Sequence, residues 1–266
     1  MYNLQLKKLI KIWLLIASRA AQAQFLTKWG GVAFLFGKVV RFLLIFVFIY
    51  SIMSKTDSLA DYNKEQVILF FLTFSLIDTL IQAVFRGVYQ FRRLVVNGDF
   101  DFDLAKPLPS IFRPIFGWTD FVDIITLVPL TIYFISFIVK NGLVENIGQL
   151  FLFLLLLINS LFLAFCLHLL ICGICVITTE IDHLVWIYRD ISNMGRFPTD
   201  IYSKGIQSAL TFGLPVVIIF TIPAKALLGL LTWHGLFFAI AVSIIFFIIS
   251  LRFWRFAIRQ YSSASS

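Results

Sequence analysis

The chain has 266 residues, of which 60% are hydrophobic and only 14% are charged, and its net charge is +8. A water-soluble domain has about half of its residues apolar and about a quarter charged, and a chain of this length cannot bury such an excess in one core. The composition therefore excludes a water-soluble protein. Because the basic residues lie mainly outside the apolar runs, the positive charge indicates membrane topology and no nucleic-acid partner.

The first predicted element is a basic amphipathic helix over residues 6–21. At 100° per residue, Lys7, Lys11 and Arg19 fall on one arc, whereas Trp13 falls on the opposite arc among leucine, isoleucine and alanine side chains. A helix of this kind lies in the plane of the membrane. The alternative is that it extends the first membrane span.

Six apolar runs follow, and each is long enough to cross a hydrocarbon core of about 30 Å as an α-helix. The predicted spans are residues 36–54, 67–86, 121–139, 150–177, 206–223 and 234–251. The fifth run ends at Pro223, with Lys225 just beyond it. A break there, with a re-entrant half-helix through Leu227–Leu231, is one expected form of this region. The predicted fold is all-α: a polytopic membrane protein forming a single transmembrane domain over residues 1–266.

The distribution of Lys and Arg predicts the orientation. Of the 22 basic residues, eighteen lie in the N-terminal segment, around segments 87–118 and 179–205, and at the C-terminus. The other four lie on the opposite side: Lys55, Lys64, Lys140 and Lys225. The positive-inside rule then places both termini in the cytoplasm and the chain in the inner (plasma) membrane. Lys38 and Arg41, at the start of the first span, are expected to reach the headgroup level.

The two long cytoplasmic segments, 87–118 and 179–205, combine charges of both signs with aromatic side chains. Each also carries residues that end helices and stiffen turns, at Lys106–Pro109 and Gly195–Pro198. The loops on the other side are short. A partner is therefore expected on the cytoplasmic side.

Polar residues inside the predicted spans are the first candidates for function. Asp78 and Gln82 share a helical face in the second span, and Asn159 and His168 lie in the fourth. With one clear carboxylate and no relay of acids, these residues are predicted to line the pathway or to pack helices rather than to couple protons. Asp123, like Asp120, opens the third span and is expected at the interface, where a helix N-terminus favours negative charge.

Motifs for catalysis and cofactor binding are absent from the sequence. It contains no GxxxxGK[ST] phosphate loop, no GxGxxG, no HExxH and no GxSxG turn. His168, Cys172 and Cys175 have the spacing of soft metal ligands, but no further cysteine or carboxylate completes a shell. We therefore predict no enzyme activity, no metal and no cofactor on this chain.

The chain resembles the integral membrane subunits of ABC exporters of the ABC-2 type, in particular a bacterial six-helix subgroup. The resemblance covers most of the chain and is carried by three stretches. They are Arg92–Asp101 running on to Leu104–Leu108; Gly195–Pro198 with Ile201, Tyr202, Pro215 and Pro223; and Phe253-Trp254 followed by Arg259–Ala264.

The resemblance implies a half-transporter. Two six-helix subunits, as a homodimer or with a sister permease, would enclose the substrate pathway. Each would dock on a separately encoded ATP-binding subunit that holds ATP and Mg. In this family the N-terminal interfacial helix and the helix between spans two and three rest on the ATPase, here residues 4–24 and 90–112. The residues implied in docking are Arg92, Arg93, Gly98, Asp101, Lys106 and Pro107.

The resemblance leaves one segment open. Residues 179–205 depart in length from the family pattern, so that Gly195, Arg196 and Pro198 either touch the ATPase or only turn the chain at the cytoplasmic surface. Two other classes of protein remain as alternatives. A secondary transporter or channel would show paired mid-membrane charges and an inverted repeat. A membrane enzyme would depend on Asp99, Asp101 and Asp103, whose alternate spacing does not put all three on one helical face.

Overall fold

A computed structural model describes residues 2–26, 28–178 and 182–262. Within these ranges the chain is helical, and its only β-type pairing is an isolated bridge between Leu59 and Tyr62. The helices are α1 (Tyr2–Leu26), α2 (Lys28–Met53), α3 (Lys64–Phe85), α4 (Val88–Val96), α5 (Asp99–Leu104), α6 (Phe112–Phe116), α7 (Phe121–Asn141), α8 (Ile147–Thr178), α9 (Asp182–Ser192), α10 (Lys204–Ser208), α11 (Ile222–Leu227) and α12 (Trp233–Gln260).

Five helical segments are long and apolar enough to cross a membrane. They are Trp29–Met53, Lys64–Val96, Phe121–Asn141, Ile147–Thr178 and Trp233–Gln260. A sixth span results if the bent pair Lys204–Gly213 and Val217–Leu227 is counted as one. The all-helical, multi-pass architecture predicted from the sequence is therefore confirmed, with five or six candidate spans.

Local sequence signals fix several helix ends. Asn63 and Gln66 form a reciprocal capping box at the start of α3, and the Thr232 side chain caps α12. Gly142 ends α7 in the left-handed conformation (φ 59°), which glycine adopts without strain. These polar and glycine residues stand at the borders of the apolar runs, which explains why hydropathy locates the spans well.

Aromatic contacts between helices show how the long helices run relative to one another. Phe134, near the end of α7, stacks on Phe153, near the start of α8, with ring centroids 5.7 Å apart. Phe85, at the end of α3, lies 5.5 Å from the His168 ring in the later part of α8. We call one end of the bundle the basal end: α2 and α7 begin there, and α3, α8 and α12 end there. The opposite end is the apical end.

The segment after α8 enters the bundle instead of staying at its surface. A 3-10 turn at Asn193–Arg196 packs against the middle of α3, where the Arg196 guanidinium lies 5.4 Å from the Phe74 ring. Gly195 and Pro198 are buried, and the position of a Cβ on Gly195 is 2.8 Å from the Phe220 ring.

The far end of this segment reaches residues that the sequence assigns to the opposite side. Asp200 accepts a hydrogen bond from the Tyr62 hydroxyl (3.0 Å) and pairs with Lys225 (2.9 Å). Burial, with Asp200 next in effect, raises the pKa of Tyr62, so the hydroxyl stays a donor. The structure thus differs from the surface segment predicted for residues 179–205. Residues 179–181 of that segment lie outside the described residues. Irregular backbone at this depth is tolerated because other helices cover it.

The break in the fifth predicted span lies at Leu214–Pro215, not at Pro223. Leu214 is extended (φ −115°, ψ 105°), as expected before a proline, and the two flanking helical pieces meet at 88°. Pro223 instead lies inside the continuous helical piece Val217–Leu227, of which α11 is the last part. Because proline has no N–H, the Ile219 carbonyl, four residues earlier, does not receive a hydrogen bond from position 223. The Ser160 hydroxyl donates to that oxygen at 2.7 Å.

We predict that Gly195→Ala lowers the stability of the protein by about 1–3 kcal/mol, because a methyl group at this position overpacks the buried Phe220 ring. Gly205→Ala is the matched control, since nothing lies within 4 Å of its Cβ position. The midpoint of thermal unfolding in detergent measures both. A Gly195→Ala midpoint equal to that of the control would show that the segment does not pack in the bundle.

Candidate functional site

A cavity of about 760 Å³ lies between α2, α3, α7 and α9 and extends from the basal end into the bundle. Its volume is within the range of about 300–1,000 Å³ typical of ligand sites. Asp78 and Gln82, singled out in the sequence as pathway or packing residues, both line it. The wall toward the apical end is mainly aromatic and aliphatic, and includes Phe42, Phe71 and Tyr133.

An ionic network closes the basal side of this cavity. Asp120 and Asp123, at the start of α7, are only 3% and 4% exposed. Lys38 of α2 forms an ion pair with Asp123 and lies 3.8 Å from Asp120, and Arg86 lies 3.5 Å from Asp120. The Arg86 guanidinium also donates to the Gln82 side chain (3.0 Å).

These contacts bear on two expectations. Lys38 turns inward to the acids of α7, where it partly neutralises two buried carboxylates, although 27% of its side chain stays exposed. Asp120 caps α7 through the Val122 and Asp123 N–H groups, as expected for an acid at a helix N-terminus. However, it is buried in the network and does not face an aqueous interface.

Three further arginines surround the cavity. Arg41 comes from α2, Arg189 from α9 and Arg196 from the 3-10 turn that follows α9. Arg41 and Arg189 both repel Arg196 electrostatically, whereas Asp78 attracts it. Asp78 also attracts Arg189. The cavity therefore has a cationic region, in which the three arginines outnumber the carboxylates of Asp78 and Asp190.

The α2 helix closes the cavity only loosely. Near the apical end its Phe42 ring lies 5.2 Å from Phe71, and Ile49 and Met53 are buried. Toward the basal end the cavity separates α2 from α3, and Phe34 and Val39, which line it, are about half exposed. The ionic network is thus the described polar contact that joins this half of α2 to the bundle.

The other two predicted pathway residues do not line the cavity. His168 is buried and donates from Nδ1 to the Ala164 carbonyl (2.7 Å), and its ring contacts Tyr188 with centroids 5.0 Å apart. Asn159 also lies in α8, away from the cavity lining. Within the described ranges no three His, Cys, Asp or Glu residues are grouped to hold a metal. The structure thus places Asp78 and Gln82 at the cavity and the other pair within the helix packing.

A second, smaller cavity of about 220 Å³ lies at the basal end, between α1 and residues 103–113. Ile12 and Arg19 of α1 line one side, and Lys106 and Arg113 line the other. Lys106 pairs with Asp103 at 2.8 Å. The structure therefore brings together the two segments that were predicted separately as docking elements.

Residues 87–118 are held firmly to the bundle. Phe91, Phe100 and Trp254 form an aromatic cluster, and the Trp254 indole donates to the Ser110 hydroxyl (3.1 Å). At Gly87 the backbone of α6 comes so close that a Cβ would be 2.7 Å from the Ile115 carbonyl oxygen. Movement of this segment would therefore be transmitted to α3 and α12.

The remaining predicted docking residues are distributed around this segment. Gly98 joins α4 to α5 in the left-handed conformation (φ 75°). Arg93 and Pro107 are exposed, whereas Arg92 and Asp101 are half-buried. Sequence analysis did not identify Arg41, Arg189 or the Lys38–Asp123 pair as site residues. The sequence did contain one signal for the ion pair: the basic residues of the first span and the acids of the third span fall at the same predicted depth.

The comparisons with known proteins give one match. A family model described as an ABC-2 family transporter protein matches residues 39–265, which is most of the chain. No curated protein and no solved structure matches it. The family match agrees with the helical, multi-pass architecture and with a cavity between the helices. The chain therefore belongs to the ABC-2 transporter family and is a permease-type membrane component of a transport system.

Proposed function

We propose that this chain is the permease subunit of an ABC-2-type exporter, in which it forms the substrate pathway and couples to a separate ATP-binding subunit. ATP and Mg bind to that partner, and this chain contributes no catalytic residue. The observation that carries the proposal is the basal cavity between α1 and residues 103–113, two elements from distant parts of the sequence.

The geometry supports coupling because the basal elements are joined to the transport helices. The α4 helix continues from α3 after a two-residue turn, and Trp254 ties residues 99–110 to α12. Gln24 of α1 accepts a hydrogen bond from the Phe121 N–H at the start of α7 (2.9 Å). A rigid-body movement at the basal end would reach three long helices, which is how such transitions usually propagate.

The proposed topology has six spans, with the bent pair counted as the fifth, and α1 lying in the membrane plane. Both termini would then be cytoplasmic in the inner (plasma) membrane. Two features support it: α1 and the end of α12 lie at the same end of the bundle, and basic residues predominate there. We further propose a dimer, with a second copy or a sister permease, that encloses the cavity on the loosely packed side of α2.

The test is co-purification. The chain is expressed with the ABC ATPase encoded nearest to its gene and extracted in mild detergent. The proposal predicts a stable complex whose ATP hydrolysis exceeds that of the isolated ATPase. If the chain purifies without any of the neighbouring ABC ATPases with which it is co-expressed, the proposal is contradicted. A secondary transporter or channel would then be the better interpretation.

A further inference from the structure

The charges that line the main cavity do not balance. Lys38 and Arg86 are paired within the ionic network by Asp123 and Asp120. The other basic lining residues are Arg41, Arg189 and Arg196, and the other acids are Asp78 and Asp190. Three arginines thus face two acids; of these five residues, Arg41 and Asp190 are exposed and the other three are partly buried. An anion is therefore the ligand that this region favours electrostatically.

Arginine is suited to a particular class of anion. Its guanidinium is planar, stays charged and binds phosphate or carboxylate oxygens through two N–H groups at once. Arg189 is also held in place by aromatic rings, with its guanidinium 5.8 Å from Trp186 and 6.0 Å from Tyr89. Such a group gives a fixed site for an acidic headgroup.

The rest of the cavity lining is mainly apolar, and part of it is exposed at the side of the bundle. Phe71 and Leu130 line it between α3 and α7, beyond the arginines. On the α2 side, Phe34, Val39 and Leu43 line the cavity and remain about half exposed. A hydrocarbon chain entering between α2 and α7, on the apical side of the Lys38–Asp123 pair, would meet mainly apolar side chains.

We infer that this cavity binds an anionic amphiphile, with the acidic headgroup at Arg41, Arg189 and Arg196 and the hydrocarbon chain along Phe71 and Leu130. In the membrane this means an acidic lipid or a lipid-linked anion that enters sideways past α2. Calling the ligand the exported substrate depends on the proposed transport function. Binding itself does not, since it requires only this chain.

The experiment is a titration of the purified chain in detergent, followed by native mass spectrometry. The probes are dioleoyl phosphatidylglycerol, which is an anionic lipid, dioleoyl phosphatidylcholine, which has the same tails without net charge, and glycerol phosphate, which is an anion without tails. We expect phosphatidylglycerol to bind at least about tenfold more tightly than either of the others, because only it satisfies both parts of the cavity.

Charge-removal variants locate the site. Arg41→Gln with Arg196→Gln should weaken phosphatidylglycerol binding about tenfold or more. Arg252→Gln with Arg255→Gln removes the same charge from α12 and should leave it unchanged. Arg41→Gln alone is a further arm, because Arg41 is exposed and substitutions of exposed residues usually change stability little; it should weaken binding at least about threefold.

Three results would overturn the inference. Equal affinity for phosphatidylglycerol and phosphatidylcholine would show that the arginines select no anion. Equal affinity for glycerol phosphate would identify a simple anion site. Equal weakening by the α12 control pair would place the lipid outside the cavity. None of these results bears on whether an ATPase co-purifies, so the proposed function is tested separately.

Discussion

Lys38→Met is expected to destabilise the protein by about 3 kcal/mol, because it leaves Asp123 buried without its ion-pair partner. The value is at the lower end for a broken buried pair, since 27% of the Lys38 side chain is exposed. A chain of this size should lose roughly 6–12 °C in the midpoint of thermal unfolding. The midpoint of thermal unfolding, measured in detergent without aggregation, gives the shift.

A second variant separates the ion pair from the packing of the lysine. The double change Lys38→Met with Asp123→Leu removes both charges, and replacing a buried pair by apolar residues is often neutral. It should therefore recover most of the lost stability. Lys55→Met, in an exposed loop, is the control and should have little effect. If the double variant is less stable than Lys38→Met, Asp123 does not depend on Lys38 for its burial.

Gly98→Trp and Lys106→Glu are expected to reduce ATPase stimulation in the co-purified complex at least about tenfold, while the chain still inserts and assembles. Gly98 has φ 75°, a conformation that residues with a Cβ rarely adopt, so tryptophan there changes the angle between α4 and α5. Glutamate at position 106 loses the pair with Asp103 and places two acids side by side. Both changes alter the proposed docking surface.

The controls for this prediction lie away from the basal end. Gly205→Trp is made where nothing lies within 4 Å of the Cβ position, and Lys140→Glu reverses an exposed charge at the apical end of α7. Both should leave stimulation at the wild-type level. Size-exclusion chromatography confirms that each variant is intact. Wild-type stimulation by Gly98→Trp and by Lys106→Glu would remove this segment from the docking surface.

Much of the fold could be predicted from hydropathy because lipid imposes a simple rule on a spanning helix. Five of the six apolar runs each correspond to a long helix, and residues such as Asn63 and Gly142 mark the helix borders. Asp78 and Gln82 could be found for the same reason, since polar groups inside a span require an explanation. Both line the main cavity.

The remaining features of the fold depend on tertiary contacts, which sequence patterns do not show. Residues 193–201 are too polar and too broken for a span, and tertiary contacts such as the packing of Gly195 on Phe220 show that the segment enters the bundle. In the same way, Pro215 and Pro223 look equivalent in sequence. The structure distinguishes them because Pro215 stands where a helical piece begins, after the break, whereas Pro223 lies inside that piece.

The cationic side of the cavity was missed because its arginines come from three separate elements. Arg41, Arg189 and Arg196 are distant in sequence, and each alone resembles a basic residue at a membrane surface. Only the return of the chain toward the bundle after α8 brings the latter two toward α2. A pattern search along the sequence cannot show this convergence.

Lysine cross-linking in the co-purified complex tests most directly whether the basal end is the ATPase-facing end. Lys11 and Lys106 are exposed at that end, and Lys55 and Lys140 are exposed at the apical end. An amine-reactive cross-linker with mass-spectrometric readout should join Lys11 and Lys106 to the ATPase, and should join neither apical lysine to it. Cross-links from Lys55 or Lys140 to the ATPase, with none from Lys11 or Lys106, would contradict the proposed orientation and the docking surface together.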